Sequence, residues 1–223
     1  MFDIITTAEN ELRNASDIPS GTHIKTGDIR RVSAKLFSRI KDKTPDYILM
    51  LCGELLERRN WPMGVIAYDF AYRLRDKYDA SWFPVFESWL EKYVRGWGDC
   101  DDFCTHAFGE LIRQNTVFSD RVIEWTSRGE FWMRRASAVV LIPSIHKDKY
   151  RETKPLRISD ILMGDSHDLV RKGYGWMLKT LSLKEPDLVF DYLRCHKTEM
   201  PGVAFRYAME KMDADKKRAL LTK

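Results

Sequence analysis

Apolar residues recur along this chain at three- and four-residue steps and nowhere alternate. Ile29, Val32, Leu36, Phe37 and Ile40 form one such stripe after Thr26-Gly27-Asp28, the spacing of a helix with a single buried face. Pro45 opens a second run with Tyr47, Ile48, Leu51, Leu55 and Leu56, and Pro62 opens a third with Val65, Ile66, Phe70 and Leu74. Each proline stands where the first helical turn tolerates its missing N–H. The same spacing predicts helices over 82–94, 102–112, 120–126, 131–142, 158–163, 169–183 and 186–193, joined by short connections, and no strand.

Helix pairs recurring at about 30 to 40 residues predict an all-α architecture, an α-solenoid of HEAT-like antiparallel helix pairs in which each pair buries its face only against its neighbours. An irregular helical bundle fits the periodicity equally well. Composition agrees with either. The chain has 223 residues, 44% of them hydrophobic and 12% aromatic, enough for its own core, and we expect one domain over 1–223. Twelve Gly and 8 Pro are too few for a sandwich or barrel, which needs a turn about every ten residues. The segment from Met1 to Thr7 has neither a basic leader nor a long apolar run, which predicts a cytoplasmic protein, neither exported nor membrane-spanning.

The charge balance, 37 Lys+Arg against 33 Asp+Glu, leaves only +4, so a polyanion would have to meet a local patch. One candidate patch is the connector from Lys147 to Arg157, where Lys147, Lys149, Arg151, Lys154 and Arg157 outnumber Asp148 and Glu152; a merely solvated loop is the simpler explanation. The four cysteines, at 52, 100, 104 and 195, are expected to be reduced thiols. Cys100 and Cys104 with His106 lack the second ligand pair of a structural zinc site, so no metal is expected. No phosphate-binding glycine motif is present, and no cofactor is expected.

Three segments concentrate unusual chemistry. Trp97-Gly98-Asp99-Cys100-Asp101-Asp102 sets three carboxylates and a large aromatic at a helix start. One of the acids is explained by capping and the helix dipole; if the helix already includes Trp97, that residue and Asp101 share a face. Phe131-Trp132-Met133-Arg134-Arg135-Ala136 and Arg171-Lys172-Gly173-Tyr174-Gly175-Trp176-Met177-Leu178-Lys179 interleave aromatics with cations. Core packing is the ordinary use of a tryptophan. Gly173 and Gly175 each cost a helix about 1 kcal/mol relative to Ala, which calls for close helix packing or close approach of a ligand.

These segments resemble the AlkD-like DNA alkylation repair family of helical-repeat DNA glycosylases, from about Thr22 to Leu193. Ile24-Lys-Thr-Gly-Asp-Ile-Arg30-Arg31 is similar to the family's early turn, with Gly27 where proline is frequent. Trp97 and Asp101 reproduce its Trp-x-x-x-Asp spacing, Arg135 falls on the arginine of its W-x-x-R-A motif, and Trp176 on its second aromatic. Gly96 replaces the first Trp of a Trp-Trp pair, and Asp99 and Asp102 stand as rivals to Asp101.

The resemblance implies a concave groove that binds double-stranded DNA and hydrolytic removal of positively charged N3- or N7-alkylated purines. In that reaction Asp101 would stabilise the developing sugar cation and orient water, Trp97 and Trp176 would offer π-faces, and Arg135 would hold a phosphate. Arg30, Arg31, Lys147, Lys149, Lys154, Arg171, Lys172 and Lys179 are the candidate DNA contacts. No lysine stands beside Asp101 in the matched motifs, so the expected enzyme is monofunctional, without lyase activity. It would act as a monomer, nucleoid-associated when bound to DNA. The competing expectation is a noncatalytic HEAT-like repeat protein that binds DNA or protein through the same face.

Overall fold

The structure is a computed structural model that describes residues 3–15 and 24–222, and every regular element among them is helical. Met1, Phe2 and Thr22, used above, lie outside the described residues. The chain forms two compact units, divided between Val94 and Arg95.

The first unit holds α1 (Ile4–Ala15), α2 (Thr26–Arg39), α3 (Pro45–Glu57), α4 (Trp61–Arg73) and α5 (Trp82–Lys92). Its centre is α4, buried on every side from Val65 to Ala71, a run that is apolar but for Tyr68 and Asp69. Asn60 caps α4 by accepting the Met63 N–H at 3.2 Å. Asp69 lies in this core and is compensated there: Ser33 Oγ donates to it at 2.6 Å and Arg73 Nε at 2.8 Å, as a buried charge requires. The hydrophobic stripes do not announce α1, whose buried face consists of Ile4, Ala8 and Leu12 alone.

The second unit holds α6 (Trp97–Thr105), α7 (Ala107–Gln114), α8 (Ser119–Glu124), α9 (Phe131–Val139), α10 (Ile142–His146), α11 (Pro155–Leu162), α12 (Asp168–Ser182), α13 (Pro186–Cys195), α14 (Gly202–Met209) and α15 (Ala214–Leu221). Four of these, α6, α9, α12 and α14, begin at Trp97, Phe131, Asp168 and Gly202, at intervals of 34, 37 and 34 residues. They pack in that order, each on the next. Polar contacts keep the same period. Arg135 and Asp101 are 34 residues apart, as are Lys154 and Asp120; Tyr150 and Glu185 are 35 apart, Lys184 and Asp148 36, and Tyr192 and Asp160 32. Every one of these bonds joins a repeat to its neighbour, which makes the unit a helical repeat stabilised by nearest-neighbour terms.

Several boundaries differ from those the periodicity predicts. The helix expected over 102–112 begins five residues earlier, at Trp97, and is broken at His106, whose backbone (φ −121°, ψ −100°) leaves the helical region before α7. The helix expected over 131–142 ends at Val139, and α10 restarts around Pro143, which cannot donate the hydrogen bond a continuous helix would need. Beyond 193, α14 and α15 bury few residues, Ala204, Phe205 and Ala208 in one and Leu220 in the other, too few to mark a stripe.

Candidate active site

Among the described residues of the second unit, the tryptophans divide by burial. Trp125 is 2% exposed and belongs to the core, whereas Trp97 is 57% exposed. An aromatic of that size left more than half in water forgoes roughly 1–2 kcal/mol of burial, so its exposure needs a use. Trp97 is the first residue of α6, after Gly96 in extended conformation. Because the helix includes it, Trp97 and Asp101 stand one turn apart on one face.

The three neighbouring acids have three different environments. Asp102 is buried beside Cys100, Phe103 and Cys104. Asp99 sits in the first turn, half-buried, and burial pushes its carboxyl above the ordinary value, partly offset by a hydrogen bond from the Arg95 backbone N–H. Asp101 is gripped through both oxygens: Arg135 Nε donates to Oδ1 at 2.7 Å and a terminal nitrogen donates to Oδ2 at 2.8 Å. The Asp101 side chain is still 19% exposed, against 6% for Arg135.

The Asp99 environment yields a first test. A raised carboxyl value means that the fold penalises the ionised form, a penalty fully present above the folded value and absent below the ordinary 3.8. Asp99→Asn is expected to raise the melting temperature at neutral pH and to lose that advantage as pH falls toward 3.8. Melting curves across that range check it; an equal shift at every pH would contradict the burial account.

Arg135 bridges three repeats. Besides gripping Asp101 on α6, its other terminal nitrogen donates to the Leu169 carbonyl on α12. Burial opposes the guanidinium charge, yet the Asp101 hydrogen bond and charge outweigh it and its pKa lies above the ordinary value. A Cβ on Gly173 would stand 3.1 Å from Arg135 Cγ and 3.2 Å from one of its terminal nitrogens, so this glycine lets the guanidinium lie against α12. Gly175 serves packing: a Cβ there would meet Tyr207 Cβ at 2.8 Å and the Ala204 carbonyl at 2.9 Å, where α14 presses on α12. Close approach therefore explains both glycines.

Register follows from the same contacts. The fifth residue of α6, Asp101, meets the fifth of α9, Arg135, which meets the second and sixth of α12, Leu169 and Gly173. These contacts therefore all fall in the first two turns of their helices. On α12, Leu169, Lys172, Trp176 and Lys179 are all half-buried and recur at three and four residues, one stripe along the face that carries the Arg135 contact. Trp176 and Lys172 thus lie on the same side of α12 as Leu169, whose carbonyl accepts from Arg135.

The remaining cations disperse. Arg171 Nε donates to the Asp165 carbonyl at 2.6 Å, and Lys179 pairs with Glu210 at 3.1 Å across the Tyr207 ring. Lys154 pairs with Asp120 at 2.8 Å, and Lys147 and Lys149 are exposed. The connector bearing these last three is tied by Tyr150 and Arg151 to Glu185, past the end of α12. From Leu169 to Leu181, twelve residues of helix rise about 18 Å, so the structure does not bring the connector to Asp101. Arg30 is half-buried and Arg31 pairs with Asp28, both on α2 of the first unit. The phosphate-holding role expected of Arg135 is not the one its contacts describe: its edge is turned onto Asp101 and a backbone carbonyl. Sequence reasoning did not foresee the contact of Arg95, whose guanidinium lies 5.5 Å over the Trp132 ring. No three His, Cys, Asp or Glu side chains gather as a metal-ligand set among the described residues.

Residues 22–212 match the family model described as DNA alkylation repair enzyme. No curated protein sequence matches the chain. Among solved structures, it is similar to a predicted DNA alkylation repair enzyme from Enterococcus faecalis, with TM-score 0.72 and 13% identity over 94% of this chain and 96% of that one. It is also similar to AlkD2 from Streptococcus mutans, with TM-score 0.65 and 19% identity over 93% of this chain and 100% of that one.

Proposed function

The chain belongs to the DNA alkylation repair enzyme family, and from that premise we propose that it is a monofunctional DNA glycosylase releasing positively charged N3- or N7-alkylated purines from double-stranded DNA. The observation that carries the reading is Asp101, held by both oxygens on Arg135 and set one turn from the exposed Trp97.

Alkylation at N3 or N7 makes the base a cationic leaving group, so the protein has little need of a strong general acid. The demand falls on the sugar, which becomes oxocarbenium-like as the glycosidic bond breaks. Each Asp101 oxygen keeps lone-pair capacity beyond its bond to Arg135, enough to face the sugar cation and to orient the attacking water. Trp97 and Trp176 supply π-faces to the same cationic centre, each contact contributing about 0.5–2 kcal/mol. Arg135 is a positioning residue in this scheme, and Lys172, which pairs with Asp168 at 3.7 Å, would hold a phosphate. With no lysine amine beside Asp101 in the matched motifs, water is the nucleophile and the product strand is an intact abasic strand. The protein would act as a cytoplasmic monomer on duplex DNA.

Duplexes carrying a single 7-methylguanine, 3-methyladenine or neutral O6-methylguanine test this reading. Free base is expected from the first two and not the third, with strand cleavage only after alkali. Release of the neutral adduct, or cleavage before alkali, would count against it; tight binding with no release would identify a noncatalytic repeat protein.

A further inference from the structure

We propose that His167 is a positioning residue for the Asp101–Arg135 pair, acting through the first turn of α12. This rests on the glycosylase reading above for what the pair does. Helix N-caps are ordinarily Ser, Thr, Asp or Asn, yet α12 is capped by His167, whose Nδ1 accepts the Leu169 N–H at 3.2 Å. Gly96 and Glu130, the N-cap residues of α6 and α9, make no side-chain cap bond. The imidazole is also stacked flat on Phe131, the first residue of α9, with ring centroids 4.2 Å apart and planes 2° from parallel.

These contacts close a ring that begins and ends on α9, where Phe131 and Arg135 stand one turn apart. Phe131 holds the imidazole, the imidazole holds the Leu169 N–H, and the Leu169 carbonyl accepts from Arg135, which grips Asp101 through both oxygens. Leu169 is therefore fixed at its N–H by His167 and at its carbonyl by Arg135. A further bond seats the cap itself: the His167 backbone N–H donates to Asp165 at 2.8 Å, and Arg134 donates to the same carboxylate at 2.6 Å. Without the cap an N–H of the first turn loses its partner, that turn loosens, and the carbonyl that orients Arg135 moves with it.

A histidine cap works in one protonation state only. The neutral imidazole keeps a lone pair on Nδ1 and its proton on Nε2, whereas the imidazolium carries N–H on both nitrogens and accepts nothing. A cation there would also oppose the positive end of the α12 dipole. The charged groups about the ring are Asp165 and Asp168 beside it in the chain, Arg134 on α9, which pairs with Asp165, and Arg171 and Lys172 on α12, which stand 4.0 Å and 3.7 Å from Asp168. From α11, which packs on both helices, Asp160 accepts from Tyr192 and Arg157 acts on Asp120. Both acids beside the ring are thus already paired with cations, and protonation costs the ring its cap.

Single-turnover release of 7-methylguanine by His167→Asn and His167→Phe, followed from about pH 8 to about pH 5, where histidine changes charge, separates the two contacts. Asn supplies a cap oxygen that does not titrate, so this variant is expected to stay within about threefold of the wild-type rate at the alkaline end and to hold that rate at the acid end. Phe keeps a ring for Phe131 but has no acceptor, and its rate should fall by about 10–10²-fold throughout, the loss a misaimed catalytic group brings. The wild type should match Asn at the alkaline end and approach Phe at the acid end, with all three proteins assayed well below their melting temperatures. A Phe variant as active as the wild type, an Asn variant as impaired as Phe, or an Asn variant with the wild-type acid limb would overturn the proposal. Should the wild type release no base at any pH, the glycosylase reading fails and the Arg135 Nε–H resonance decides the positioning role: protection from exchange is expected to persist in Asn and to be lost in Phe, and its persistence in Phe would overturn that role.

Discussion

Asp101→Asn is expected to lower single-turnover release of 7-methylguanine by about 10²–10³-fold, the loss typical of removing one preorganised group that faces transition-state charge. The variant keeps an oxygen for Arg135 and is nearly isosteric, but it leaves a buried guanidinium beside a neutral partner. Stability should fall by about 1–3 kcal/mol, which an ordinary domain with about 5–15 kcal/mol in hand survives. Rates must therefore be compared well below the variant's melting temperature, with binding to the abasic duplex measured alongside. A rate within threefold of wild type, or an Asp99→Asn variant equally impaired, would move the chemistry to another carboxylate.

Arg135→Ala should have the larger effect on the fold. Arg135 joins α9 to α6 through Asp101 and to α12 through the Leu169 carbonyl, so its removal breaks contacts to the repeat on either side and leaves Asp101 without its grip. Breaking such a pair from one side costs about 3–5 kcal/mol. In a chain stabilised by nearest-neighbour terms, losing the bridge should also weaken the coupling between repeats, seen as a broader denaturant transition with a smaller m value. Base release should fall as well, because the carboxylate is no longer aimed. The double variant with Asp101→Asn is expected to be less than additive in stability, by about 0.5–3 kcal/mol. Additive losses would mean that the two side chains act independently.

Much of this was legible in the sequence because a helical repeat announces itself locally. The stripes through Ile48, Leu51 and Leu55 or Val65, Ile66 and Phe70 depend only on burial of one face, and those residues are buried. The i, i+4 placement of Trp97 and Asp101 depends only on where the helix starts. What the pattern did not carry is long-range. Nothing local states that Arg135 faces a carboxylate 34 residues back and a carbonyl 34 residues on, so a buried bridge was read as a phosphate ligand. The connector from Lys147 to Arg157 shows the complementary difficulty. Its excess of cations was visible, but Lys154 is matched by Asp120 and Arg151 by Glu185, partners roughly one repeat away that no linear charge count can find. The contact of Arg95 with the Trp132 ring escapes a linear reading for the same reason, since the two lie far apart along the chain.

The most direct test of the whole account is single-turnover release of free 7-methylguanine from a defined duplex, with protein in excess over DNA and a protein-free control. The account predicts release well above the spontaneous rate by the wild-type chain, with the base recovered intact and an abasic site left in the strand. Release indistinguishable from the protein-free control, by a folded protein that binds the duplex, would contradict it.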